Sequence, residues 1–172
     1  MKVKAEWIVQ PELARELALF TMRLKPKTQM NLQLWTEMLT AEHSILYPIL
    51  IKLTCTDIPY RTHVHFIRHK IGFLPYVTTT RPDLTGKPQS EGDLVDCIFI
   101  VNPVSLITIA RKRLCGRAAP KTRELMMDIK MAVNEDLGPY GKALAEAMVP
   151  NCVYRQKCTE GRRSCGYWKE KF

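Results

Sequence analysis

No stretch of this sequence approaches the ~20 consecutive apolar residues that a membrane-spanning helix requires. Its start, MKVKAEW, sets charges where a secretory leader would carry an apolar core. The expectation is a cytoplasmic protein that makes no membrane contact. Glycine-rich phosphate loops, the nucleophile elbow and paired CxxC knuckles are also missing, and no Ser/His/Asp ordering suggests a triad. Hydrolase readings weaken with them. Acidic residues are scarce: 17 Asp and Glu stand against 26 Lys and Arg, a formal net charge of +9. That surplus suits polyanionic partners, either nucleic acid or phosphorylated small molecules. It is uneven, because residues 111–130 hold seven basic against two acidic side chains and residues 154–172 hold six against two.

What is present suits one ordinary domain. The chain has 172 residues, 46% of them hydrophobic, enough for a real core. No repeat, low-complexity tract or linker divides it, so residues 1–150 read as a single domain and residues 151–172 as a basic, cysteine-rich tail packed on it or extending it. Lys2 to Val9 reads as a strand. Leu13, Leu17, Phe20 and Leu24 recur at helical spacing behind Pro11, and Leu32, Trp35, Met38 and Leu39 support a second helix. The apolar run Ile45 to Thr54 fits a buried strand or a helix equally well. From Pro59 to Ile71 the spacing predicts a three-turn helix with His65 and His69 on one face, ended by Gly72 and Pro75. Arg81 to Gly92 reads as a loop and Leu94 to Val101 as an apolar strand. Asn102-Pro103 is a strong helix start, since asparagine caps free amides and proline suits the first turn. In the helix that follows, Leu106, Ile109, Ala110 and Arg113 share a face, and an arginine on an apolar face calls for an anion. Pro120 kinks that helix or begins another carrying Leu125, Met126, Ile129 and Val133.

Arg68-His69-Lys70, followed by Arg81, can surround a phosphate with charge-assisted donors, the alternative being a solvated basic turn. Arg111, Lys112, Arg113 and Arg117 form a second cluster, of which only Arg113 and Arg117 share a face. His63, His65 and His69 invite a metal reading, but no nearby acid completes the set and Arg61, Arg68 and Lys70 repel a cation. Phosphate or nucleotide contact suits them better. Six cysteines are too few and too scattered for a disulfide framework and read as reduced thiols. Cys55, Cys97 and Cys115 sit in apolar surroundings. Cys152, Cys158 and Cys165 offer three thiolates for a structural zinc ion, with a fourth from Cys97, Cys115 or a histidine, the alternative being three free thiols. Tyr154, Tyr167 and Trp168, interleaved with Arg155, Arg162, Arg163 and Lys169, also suit stacking on a nucleic-acid strand.

Together these landmarks resemble the flavin-dependent thymidylate synthases, of which the chain looks like a divergent, shortened member. Glu42-His43 resembles the family's early glutamate-histidine pair, and Arg68-His69-Lys70 resembles its Arg-His-Arg. Thr79-x-Arg81 resembles the Ser-x-Arg that holds the pyrimidine nucleotide, with one residue inserted. Asn102, Ser105-Leu106, Arg113, Ala118 and Arg123-Glu124 resemble the late Asn-x-x-Ser-Leu helix, its arginine and the segment trailing it. Departures fall in the centre: Pro75-Tyr76 stands in place of Asn-Glu, Phe73 in place of serine, His65 in place of glutamine, and the segment from Arg81 to Asn102 is shorter.

The resemblance implies an α+β fold, a single compact domain of helices packed on a small, mostly antiparallel sheet. It also implies a homo-oligomer, tetrameric in the family, that binds FAD and dUMP. The family moves a one-carbon unit from methylenetetrahydrofolate to the uracil C5 and reduces it with flavin hydride drawn from NADPH. By this resemblance His43, Arg68, His69, Lys70 and Asn102 contact the flavin, while His65, Thr79, Arg81 and Arg113 hold the nucleotide. Arg113 takes the catalytic role of stabilising negative charge on the ring. The alternative is a catalytically inactive homologue that binds a nucleotide or nucleic acid through its basic clusters.

Overall fold

The computed structural model of the chain describes residues 1–25, 30–88, 90 and 92–168. Strands β1 (Lys2–Val9), β2 (Leu50–Pro59), β3 (Phe73–Val77) and β4 (Leu94–Val101) form one antiparallel sheet in the order β1-β2-β4-β3. The helices described are α1 (Glu12–Thr21), α2 (Leu32–Thr40), α3 (Tyr60–Phe66), α4 (Pro82–Thr85), α5 (Pro103–Arg113), α6 (Pro120–Asp136), α7 (Gly138–Ala147) and α8 (Asn151–Tyr154). Two 3₁₀ turns, Ser44–Leu46 and Gly161–Arg163, complete the elements. The fold is α+β, as the sequence reading expected. No helix among the described residues is long and apolar enough to cross a membrane.

Period-two alternation makes the sheet one-sided. In β4 Val95, Cys97, Phe99 and Val101 are buried, whereas Leu94, Asp96 and Ile98 are exposed. In β2 the buried set runs Ile51, Leu53, Cys55 and then Ile58. The change of phase comes from a bulge between Cys55 and Ile58, where Asp57 adopts φ +58° and its amide donates to Asp96 Oδ1 at 3.1 Å. Helix α6 packs across β1 and β2 with Leu125, Met126, Ile129 and Val133 buried, the stripe its sequence announces. Beside it, Trp35 is fully buried edge-on to Trp7 and Tyr140, and its indole N–H donates to the Tyr140 carbonyl at 2.9 Å. A second aromatic group, Phe66, Phe73 and Phe99, fills the core where α3 meets β3 and β4.

Three local expectations change. The ambiguous apolar run resolves into a 3₁₀ turn, Pro48 and then β2, because that segment pairs on both sides, with β1 and with β4. The helix expected through Ile71 stops at Phe66, so His65 and His69 do not share a helical face. The cause is the sheet: Phe73 must pair with Val101, which leaves only a short turn, closed by the His69 amide on the Phe66 carbonyl at 2.9 Å. Finally, the loop from Arg81 to Gly92 contains the one-turn helix α4, stopped by Gly86 at φ +68°.

Candidate functional site

The site is built on α5, and Asn102 sets where that helix begins. Its side-chain oxygen accepts from the Ser105 amide at 2.8 Å, and Pro103 fills the first helical position. Asn102 is only 4% exposed, its own amide donates to the Gly72 carbonyl at 3.1 Å, and the Ser105 hydroxyl donates to the Ile71 carbonyl at 2.7 Å. The start of α5 is thereby laced to the turn just after Arg68, His69 and Lys70. Eleven residues of helix carry the chain to Arg113 at the far end.

Arg113 is the centre of the arrangement. Its Nε donates to His69 Nε2 at 3.1 Å and its Nη2 donates to the His65 carbonyl oxygen. An acceptor role at Nε2 requires that nitrogen to be unprotonated, so His69 is neutral with its proton on Nδ1. Its pKa agrees: burial, then Arg113, then Lys112 push it down to about 4. The Arg113 pKa is itself lowered, by burial first and Arg68 second. This half-buried guanidinium therefore rests on a neutral ring and a carbonyl, with no carboxylate partner among the described residues. Among the described residues Nη1 meets no acceptor, and Arg113 lines a cleft of about 650 Å³.

That cleft lies between the end of α5, α6, the end of α7 and the C-terminal segment. Arg111, Lys112, Arg113, Arg117, Arg123 and Lys130 line it, against only Glu146 and Glu160. Lys130 is partly spent, since its ammonium donates to the Met148 carbonyl at 2.9 Å. A concave surface so cationic favours an anionic occupant.

One feature at its rim has no counterpart in the sequence reading. Arg111 forms a two-pronged pair with both carboxylate oxygens of Glu42 and stacks its guanidinium 3.4 Å over the Tyr154 ring. Both charged side chains are largely covered, 13% and 24% exposed for Arg111 and Glu42. Glu42 adopts φ +48°, a left-handed conformation that its partners hold in place. The Arg111 hydrogen bond keeps the Glu42 carboxyl below its usual range, opposed by burial and helped slightly by Tyr154. Glu42→Ala leaves the guanidinium covered without a carboxylate, and we expect a loss of about 2 kcal/mol in urea unfolding. The pH dependence follows the lowered pKa. The contribution is complete above the ordinary glutamate value of 4.5 and disappears as pH falls through the folded value, so the wild-type advantage over Glu42→Ala shrinks at acid pH.

The other expected site residues scatter. His65 Nδ1 lies 2.7 Å from the Thr122 hydroxyl, tying α3 to the start of α6. Its pKa is lowered by burial, then by Arg113, Arg68 and Arg61. Arg68 and Lys70 are exposed beside His69, with no acidic partner among the described residues. Arg81 is exposed and forks onto Asp83 through Nε at 3.0 Å and Nη2 at 2.6 Å, and Thr79 only accepts from the Arg81 amide at 3.2 Å. The structure does not bring Thr79 or Arg81 into contact with Arg113. His43 is exposed and caps the 3₁₀ turn by accepting from the Ile45 amide at 3.2 Å. Asn102 serves the fold through the bonds already described. In the tail, one face of Tyr154 is covered by Arg111, which removes it from base stacking on that side, and Lys169 lies outside the described residues. Among the described residues no three His, Cys, Asp or Glu groups stand close enough to hold one metal ion.

No protein-family model and no curated protein matches the sequence. Solved structures do share its fold. A crystal structure of the flavin-dependent thymidylate synthase ThyX from Helicobacter pylori, complexed with FAD and dUMP, superposes at a TM-score of 0.63 with 10% identity, over 77% of this chain and 93% of that one. A second ThyX structure from Helicobacter pylori with FAD and dUMP gives 0.67 at 9% identity, over 86% and 99%. At such identities the likeness establishes the fold.

Proposed function

We propose that this chain is a divergent flavin-dependent thymidylate synthase-like enzyme that carries out FAD-assisted one-carbon transfer to C5 of dUMP or a related pyrimidine nucleotide. The observation that carries the reading is Arg113, a half-buried guanidinium that lines a cationic cleft, aimed by a neutral histidine and a carbonyl and without a carboxylate partner among the described residues.

The residues present suit the ligands. Arg68, Lys70 and the cations of the cleft offer charge-assisted donors to the diphosphate of FAD and the phosphate of a nucleotide. When bound, the flavin supplies the hydride chemistry, with methylenetetrahydrofolate as carbon donor and NADPH as reductant. The protein supplies position and field. Arg113 holds the pyrimidine edge and stabilises negative charge on the ring as C5 becomes nucleophilic. Neutral His69 keeps that guanidinium aimed without drawing off its charge. A homo-oligomer, tetrameric as in the family, is consistent with the outer face of β3 and β4, where Leu74 and Tyr76 of one strand oppose Ile100 and Ile98 of the other. Leu74 and Tyr76 are 55% and 61% exposed.

The test is the visible spectrum of the purified protein with added FAD and then dUMP. Bound flavin whose band shifts on dUMP addition supports the reading; protein that stays colourless and leaves FAD free overturns it. A second reading, a nucleotide or nucleic-acid binder without the chemistry, draws on Arg81 being occupied by Asp83 and Asn102 by the fold. It predicts steeply salt-dependent binding of a short single-stranded DNA in preference to dUMP.

A further inference from the structure

Positive charge lines the cleft and continues past it along the chain. On α6, Arg123, Met127, Lys130 and Asn134 recur at helical spacing and face the cleft over ~16 Å. Met127 and Met131 are 48% and 57% exposed on that wall, apolar surface suited to lie against a ring. The C-terminal segment forms another wall and contributes Tyr167 and Trp168. Lys112, Arg117 and Arg123 line the cleft with no acidic partner among the described residues. Arg162 and Arg163 sit between the lining residues Glu160 and Cys165 yet are themselves exposed outside the cleft, as is Lys157, and none of these three has an acidic partner among the described residues either. A free nucleotide presents one terminal phosphate, for which a single tight cluster suffices. The residues expected to supply that cluster, Thr79 and Arg81, are not brought to Arg113, and Arg81 is held by Asp83. Cations strung out inside and beyond a cleft match instead a succession of phosphodiesters, each carrying one negative charge.

We propose that the pyrimidine on which this site acts is carried in a single-stranded polynucleotide, which is preferred over the free nucleotide. The proposal rests on the carbon-transfer reading above and names its substrate class. The target base enters at Arg113. Phosphates inside the cleft meet Lys112, Arg117 and Arg123, and those that leave it meet Lys157, Arg162 and Arg163 on the C-terminal segment. Neighbouring bases lie against the methionines of α6 and the aromatic side chains of the C-terminal wall, contacts that tolerate any base sequence. A single strand is required because a base inside a duplex is held in the stack, away from a cleft of this kind. The bonds exchanged are those of the free-nucleotide reaction: the C5–H bond breaks, its hydrogen leaves as a proton, and a bond forms from C5 to the methylene carbon of the folate donor. The hydride that reduces that carbon comes from NADPH through the flavin. DNA and RNA share this chemistry of base and phosphodiester and differ at the sugar.

The experiment compares three substrates with the full chain, FAD, NADPH and methylenetetrahydrofolate: dUMP, a single-stranded DNA of about twelve nucleotides with one deoxyuridine, and an RNA of the same sequence with one uridine at that place. Each carries tritium at C5 of that pyrimidine, and release to water is followed. One of the strands is expected to react with a kcat/KM at least about 10-fold above that of dUMP at low salt, and to lose that advantage as salt is raised. Which strand reacts identifies the sugar. The double substitution Arg162→Glu with Arg163→Glu is expected to lower the strand's kcat/KM by about 10-fold or more while leaving dUMP unchanged, since both side chains lie outside the cleft. Lys157→Glu acts in the same direction and serves should the double variant fail to fold. Tritium release from dUMP that equals or exceeds release from both strands overturns the proposal and leaves the carbon-transfer reading standing. Strand turnover that is indifferent to Lys157→Glu and to the folded double variant overturns it as well. Release from none of the three substrates overturns the carbon-transfer reading and this proposal with it.

Discussion

Arg113→Ala lowers kcat/KM for the pyrimidine nucleotide by about 10²- to 10³-fold, the scale set by removing one donor aimed at developing negative charge. The substitution removes the donor to the His65 carbonyl and the one to His69, together with a positive charge held between the two histidines and the cleft. Arg113→Lys recovers only part of the rate, because an ammonium cannot make the two divergent bonds of the guanidinium. A second readout separates this from general damage. His69 is held down to about 4 by burial first and Arg113 next, so its pKa rises in Arg113→Ala when followed by the imidazole proton resonances. The sign for stability runs with it: between about 4 and the usual 6.5 the unfolded chain binds more protons at this residue, so wild-type stability climbs as pH rises through that window. In the variant that climb is smaller.

Gly72→Ala costs about 3 kcal/mol or more, the combined result of a left-handed backbone and a collision. Gly72 sits at φ +61°, and a β-carbon there would lie 2.1 Å from the Asn102 side-chain nitrogen and 2.4 Å from the Ser105 hydroxyl. Those two side chains are the ones that start α5 and hold the turn after Arg68-His69-Lys70. Relieving the clash displaces His69 from Arg113 as well as destabilising the fold. For a chain of this size the melting temperature falls by roughly 10 °C. Gly86→Ala provides the control, since it shares the positive φ, at +68°, but has nothing within 4 Å of the new carbon. Its cost is the backbone strain alone, about 1 kcal/mol. Equal losses at the two glycines in thermal unfolding contradict the packing explanation.

Local chemistry made much of this architecture legible. Asn102-Pro103 announces the start of α5, and the structure uses both residues in their expected positions. The apolar stripes of α2 and α6 and the alternation of β4 likewise follow from spacing, because burial of one face is what those patterns encode. Helix α3 fails for a non-local reason: the register of Phe73 against Val101 fixes where β3 begins, and no neighbour of His69 carries that information. The same limit hides the clamp of Glu42 on Arg111, 69 residues apart. Arg81 differs, since its partner Asp83 lies two residues along and a local reading could have found it. Arg113 was visible from its place on an apolar helix face. Its two partners, His69 and the carbonyl of His65, needed the fold.

The central claim is that Arg113 and the cleft beside it serve carbon transfer to a pyrimidine. The most direct measurement uses dUMP labelled with tritium at C5, incubated with the protein, FAD, NADPH and methylenetetrahydrofolate. Forming a carbon–carbon bond at C5 expels the hydrogen there, so the account predicts tritium release to water that requires the carbon donor and falls by at least about 100-fold in Arg113→Ala. Flavin-loaded protein that binds dUMP yet releases no tritium, or releases it equally well without Arg113, contradicts it.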